Sequence, residues 1–159
     1  MDADKLTWGD IDDACASLAS AVRDTGPLPA VVAGVSRGGL IPAVMLAHRL
    51  GLREVRAACL VRTASDEVNA PKAPVPSDTC PGSLGDLSGL DVLVVDDVAG
   101  SGATVSEAAR LALEAGAARV RTAACVVNDG NWGSGPLPDY VAIRAGRWVV
   151  FPWEESWRS

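Results

Sequence analysis

The string Val94-Val95-Asp96-Asp97-Val98-Ala99-Gly100-Ser101-Gly102-Ala103-Thr104 puts two carboxylates at the end of an apolar run and a small-residue turn directly after them. Small residues let backbone N–H groups approach an anion closely. A helix starting after the turn adds unpaired N–H donors and a favourable dipole. Ser101 and Thr104 add hydroxyl donors. Strand-end Asp, Gly and a Thr cap also occur together as ordinary punctuation, but this whole string favours phosphate binding. It is not a nucleotide P-loop, because no Gly-Lys-Ser/Thr ending follows, nor is it a dinucleotide fingerprint. A second turn, Ser36-Arg37-Gly38-Gly39, also follows an apolar run. It sets a guanidinium beside flexible backbone donors, and Arg binds phosphate oxygens bidentately.

These groups need elements to hold them. Thr7 and Asp10 stand three apart, as in a capping box. Ile11, Ala14, Leu18 and Val22 then share a helical face, and Gly26-Pro27 ends the run. Residues 30–35 read as a buried strand and 40–50 as a helix with Pro42 in its first turn, capped by Gly51. Residues 55–61, 91–95 and 118–127 read as further strands, 104–115 as a helix, and 140–143 and 147–151 as short extended runs. Residues 64–89 hold four of the ten prolines and read as a flexible loop. A mobile Pro/Gly loop suits a lid; the composition equally allows an inert excursion. Short strands alternating with helices favour an open, mostly parallel α/β sheet flanked by helices. In such sheets ligands bind beyond the carboxyl ends of the strands, where both turns lie.

The 159 residues correspond to a single domain. Hydrophobic residues at 48% against 21% charged exclude a disordered chain. A net charge of -6 argues against coating nucleic acid. Cys15, Cys59, Cys80 and Cys125 are too dispersed for a disulfide framework, so the expected compartment is the cytoplasm. No apolar run approaches a membrane span. His48, inside an apolar helix, is expected to pack rather than to ligate.

Residues 91–105 resemble the signature of the type I phosphoribosyltransferases, enzymes of phosphoribosyl diphosphate (PRPP). Val35–Pro42 resembles the pyrophosphate loop of the bacterial xanthine–guanine branch, and Trp148–Glu154 resembles the end of that branch. The resemblance implies that Ala99, Gly100, Ser101, Gly102, Ala103 and Thr104 cradle the 5′-phosphate. It implies that Asp96 and Asp97 address the ribose hydroxyls, and that Ser36, Arg37, Gly38 and Gly39 hold pyrophosphate. Mg2+ would be held mainly by PRPP oxygens and waters, with Asp96 and Asp97 assisting. Asp66, Glu67 and Lys72 are the polar groups of the loop that would close over PRPP, and Lys72 joins Asp96, Asp97 and Arg37 as a catalytic candidate. Residues 128–159 would form a hood and tail, with Trp148 and Val149 covering a planar nucleobase. Trp157 is expected at the surface or an interface.

Two positions depart from the branch pattern. Gly100 stands where 6-oxopurine enzymes carry Asp, and Asn128 stands near where they carry Lys. Asn128 and Asp129 are then the candidates for the base's proton or hydrogen bonds. The resemblance implies phosphoribosyl transfer from PRPP to a ring nitrogen of a base, a purine first, by a homodimer or homotetramer. A non-catalytic PRPP or nucleotide sensor, and an enzyme for a non-purine heterocycle, are the alternatives.

Overall fold

The computed structural model describes residues 3–67, 70–133 and 135–155. Trp157 lies outside the described residues. The elements run β1 (Asp4–Lys5), α1 (Trp8–Asp24), β2 (Val31–Val35), α2 (Leu40–Leu50), β3 (Val55–Ala58), β4 (Leu60–Thr63), β5 (Lys72–Asp78), β6 (Asp91–Ala99), α3 (Ala103–Glu114), β7 (Arg119–Asn128), β8 (Tyr140–Ala145), β9 (Val149–Val150) and α4 (Pro152–Glu155). Five strands form a wholly parallel sheet in the order β3-β2-β6-β7-β8. Helices α1 and α2 pack on one face of it and α3 on the other.

Strand alternation explains the two faces. Leu93 and Val95 of β6 join the core under α1 and α2. Val92 and Val94 join the core under α3. Successive side chains of a strand point to opposite faces, so an apolar run such as 91–95 is buried on both sides.

Helix α1 starts on the expected capping box. Thr7 Oγ1 accepts from Asp10 N at 3.1 Å, and Asp10 Oδ2 accepts from Thr7 N at 2.7 Å. Gly51 closes α2 at φ 71°, a left-handed conformation that costs a glycine nothing. His48 is exposed, contrary to expectation. The buried face of α2 is Pro42, Ala43, Leu46, Ala47 and Leu50, and position 48 falls outside that stripe.

The proline-rich segment is not a bare loop. Residues 72–78 form β5, which pairs antiparallel with β4 in a separate two-stranded sheet. Pro74 and Pro76 fit there because such a ribbon leaves edge positions that need no N–H donor. Leu84 and Leu87 are buried against α3, and Leu87 N donates to Ala115 O at 3.0 Å. The expected strand 55–61 is divided at Cys59: β3 joins the main sheet and β4 the ribbon. At the other end, β1 pairs with β9 in parallel, Asp4 opposite Val149 and Lys5 opposite Val150. Among the described residues no helix is long and apolar enough to cross a membrane.

Candidate functional site

Strand β6 extends past Val95 through both acids to Ala99, with Asp96 opposite Ala124 and Val98 opposite Val126 of β7. The neighbouring carboxylates border different cavities. Asp96 lines a cavity of about 210 Å³ walled by the whole 98–105 turn. Asp97 lines a separate cavity with Ser36, Arg37 and Gly38. Arg62 and Glu154 border both.

The glycines of the first turn make this contact possible. A Cβ on Gly38 would lie 1.8 Å from Asp97 Oδ2. One on Gly39 would lie 2.6 Å from Val35 O and 2.8 Å from Val95 O. Gly39 is thus buried beneath the turn, against the backbone of the two central strands, while Ser36, Arg37 and Gly38 reach the surface. The Ser36–Arg37 peptide is cis. Arg37 Nη2 donates to Asp66 Oδ1 at 2.6 Å, and that carboxylate raises the guanidinium's pKa.

Asp96 is buried, and Asp97 less completely. Burial pushes the Asp96 carboxyl well above the ordinary range, and the charge of Asp97 adds to the rise. Burial also raises Asp97, opposed by hydrogen bonds. Asp96 Oδ1 accepts from Asp97 N at 2.9 Å, and Asp97 Oδ1 accepts from Val98 N at 2.8 Å.

The turn itself has Gly102 at φ 84°, just before α3. A Cβ there would meet Trp132 Cη2 at 2.8 Å, so the ring of Trp132 packs directly on the turn. Helix α3 starts at Ala103 and has no side-chain cap. Thr104 therefore sits in the first turn of the helix rather than capping it, and its hydroxyl is not consumed as a cap. Arg62, which sequence reasoning missed, anchors the ribbon to this turn. Its Nη1 donates to Ser101 Oγ at 2.9 Å. Its Nε and Nη2 donate to Ala73 O at 3.0 and 2.9 Å.

Lys72, Asn128, Trp148 and Val149 all line the same cavity as the turn. Asn128 is fixed: Nδ2 donates to Arg147 O at 3.2 Å and Oδ1 accepts from Gly130 N at 3.0 Å. Trp148 Nε1 is buried without a hydrogen-bond partner. Asp129 is not brought to the cavity. It is exposed, held by Arg144 Nε at 3.1 Å to both carboxylate oxygens, and that guanidinium lowers its pKa. Asn131 and Glu154 line the cavity and were not among the expected site residues. Only their folded positions reveal them.

The sequence pattern described as the phosphoribosyl transferase domain matches residues 7–159. The chain belongs to that family. The xanthine-guanine phosphoribosyltransferase of Gluconobacter oxydans (strain 621H) is 30% identical over 156 residues, spanning 95% of this chain and 84% of that one. The solved purine phosphoribosyltransferase from Pyrococcus horikoshii Ot3 is 34% identical, with a TM-score of 0.79 over 98% of this chain and 96% of that one. A Neisseria gonorrhoeae protein solved with bound ppGpp shares the fold at 22% identity, with a TM-score of 0.76 over 97% and 91% of the two chains. The parallel sheet flanked by helices is the phosphoribosyltransferase architecture. Family membership supports PRPP-dependent transfer of phosphoribose to a nucleobase as the activity of this site.

Proposed function

We propose that this phosphoribosyltransferase acts with Mg2+ on a purine-type base, in the manner of the xanthine–guanine branch, and releases pyrophosphate. The observation that carries this reading is the shared cavity of the Asp96 turn and the hood residues Trp148 and Val149. A phosphate held by the turn would then lie within reach of a planar group under the hood. Support for a purine comes from the two relatives named above, at 30% and 34% identity.

Each part has a physical role. The N–H groups of the 99–104 turn and the start of α3 bind the 5′-phosphate. Asp96 and Asp97 accept from the ribose hydroxyls. Arg37 leaves Asp66 and takes the leaving pyrophosphate, a stronger bidentate partner. The hood and the β4–β5 ribbon keep water from the electron-poor C1′ centre. Positioning and preorganised donors supply the rate.

The two acids fit a magnesium ion as partial ligands. Both carry pKa values raised by burial, so a cation relieves a real electrostatic cost. Among the described residues no group of three or more His, Cys, Asp or Glu is placed to hold a metal. Mg2+ demands near-octahedral oxygen ligation and keeps waters readily, so most of its shell would come from PRPP and solvent. Bound there, it would neutralise charge on the departing pyrophosphate.

The test is a mass-spectrometric assay with PRPP, Mg2+ and a panel of nucleobases, read for both nucleotide and pyrophosphate. Stoichiometric formation of the two from at least one purine is expected. PRPP binding with no product from any base would refute the catalytic reading and leave the sensor alternative.

A further inference from the structure

We propose that Lys72 selects a base that arrives as an anion, so that no residue needs to take a proton from the attacking ring nitrogen. The inference rests on the phosphoribosyl-transfer reading and names the substrate class of that same site.

A Cβ built on Gly100 would lie 3.6 Å from Lys72 Nζ and 3.9 Å from Asn131 Cβ. The ammonium thus stands beside the place a side chain at position 100 would occupy, on the cavity wall. Its backbone is pinned there. Lys72 pairs with Thr63 across the ribbon, and the next residue, Ala73, receives both Arg62 hydrogen bonds on its carbonyl. No carboxylate among the described residues forms an ion pair with Lys72. An ammonium has three donors and no acceptor.

The rest of the cavity has the same bias. Arg62 brings a second cation to the wall. Asn128 has its amide engaged on both atoms. Two carboxylates line the cavity. Asp96 Oδ1 accepts from Asp97 N at 2.9 Å. Glu154 Oε2 accepts from Phe151 N at 2.9 Å, which ties it to the start of α4. Both carboxylates already accept a backbone N–H, and Arg62 is bound to Ser101 and Ala73, which leaves the Lys72 ammonium as the cation to meet a ligand.

This balance decides which form of the base is favoured. An ammonium near the base stabilises the deprotonated ring and disfavours a protonated or neutral one. In the reaction, the nitrogen lone pair of an anionic base forms the N–C1′ bond. The C1′–O bond to pyrophosphate breaks, and pyrophosphate leaves with that electron pair. No proton is left to remove, which suits a turn whose residue 100 has no side chain.

The experiment compares wild type, Lys72→Met and Gly100→Asp on xanthine, whose ring ionises near neutral pH, and on hypoxanthine and adenine as neutral bases. Wild type is expected to favour xanthine in kcat/KM. Lys72→Met, which keeps the stem and removes the charge, should lower kcat/KM for xanthine roughly tenfold more than for the neutral bases, the size of one charge-assisted hydrogen bond. PRPP affinity, measured by calorimetry, should hold. Gly100→Asp should pair with Lys72 and shift preference toward hypoxanthine. Equal losses on all bases, or weakened PRPP binding in Lys72→Met, would place Lys72 on the phosphate and overturn the proposal. Turnover of neutral bases alone overturns this proposal and leaves phosphoribosyl transfer intact. No turnover of any base overturns both.

Discussion

Gly38 and Gly39 are adjacent, yet alanine at each should fail in a different way. At Gly39 the new Cβ meets Val35 O at 2.6 Å, Val95 O at 2.8 Å and the Asp96 Cα at 3.0 Å. All three are backbone atoms of paired central strands, which cannot move apart without breaking the β2–β6 ladder. Overpacking of this kind costs about 1–3 kcal/mol. For a chain of this size each kcal/mol lowers Tm by roughly 2–4 °C, so Gly39→Ala should melt about 2–12 °C early. At Gly38 the obstacle is Asp97 Oδ2 at 1.8 Å and its Cγ at 2.7 Å, the end of a rotatable side chain. The carboxylate swings away and the fold holds. What is lost is a charged hydrogen bond to ligand, about 1.5–3 kcal/mol, or roughly 10–150-fold in PRPP affinity. Thermal unfolding and PRPP calorimetry on both variants separate the two effects. If Gly38→Ala binds PRPP within about twofold of wild type, Asp97 does not reach the ligand and the reasoning is refuted.

Asp96→Asn should raise the Tm of the unliganded protein while abolishing PRPP binding. The folded-state pKa of Asp96 is raised, so its contribution to stability is lost as pH climbs from the ordinary carboxylate range through that raised value. The variant should flatten that decline; an unchanged pH profile would show Asp96 is not the group responsible. Asp66→Asn should release Arg37 and tighten pyrophosphate binding, while stability moves by about 1 kcal/mol or less because the pair is exposed. Weaker pyrophosphate binding would mean that Asp66 positions Arg37 for the ligand. Trp148→Phe should remove most of the fluorescence quench on adding base to the protein with pyrophosphate and ribose 5-phosphate; an unchanged quench would place the base elsewhere.

The strand-to-helix turn at 99–104, the Ser36–Gly39 turn and the order of helices and strands were legible because each depends on local residues. Val31–Val35 needs only its apolar run, and α1 only its periodicity and the Thr7–Asp10 box. Other features depend on pairing between distant segments. Strand β6 continues through two acids because β7 offers partners for its backbone as far as Val127. No local signal in Asp96-Asp97 announces that. Strand β5 was hidden by its prolines, which weigh against a strand until an edge position is known to be free. Arg62 looks like one more surface cation until the ribbon brings it to Ser101, 39 residues away. Asp129 had the right chemistry and sequence position for the base, but Arg144, also on the exposed side of the sheet edge, claims it.

The adjacent acids of β6 explain how one short string serves two turns. Asp96 lines the cavity of the 98–105 turn, and Asp97 lines the cavity of Ser36, Arg37 and Gly38. Each side has its own donor turn, 99–104 on one and 36–39 on the other. Acceptors therefore stand in the middle of the site, with N–H groups and cations toward its two ends. PRPP has the complementary layout: hydroxyls on a central ribose, a phosphate at one end and a pyrophosphate at the other. On the proposed function, the two acids would meet the central ribose, with one turn for each charged end of the ligand. Gly38, the only residue type that lets Asp97 lie flat against the first turn, belongs to the same arrangement.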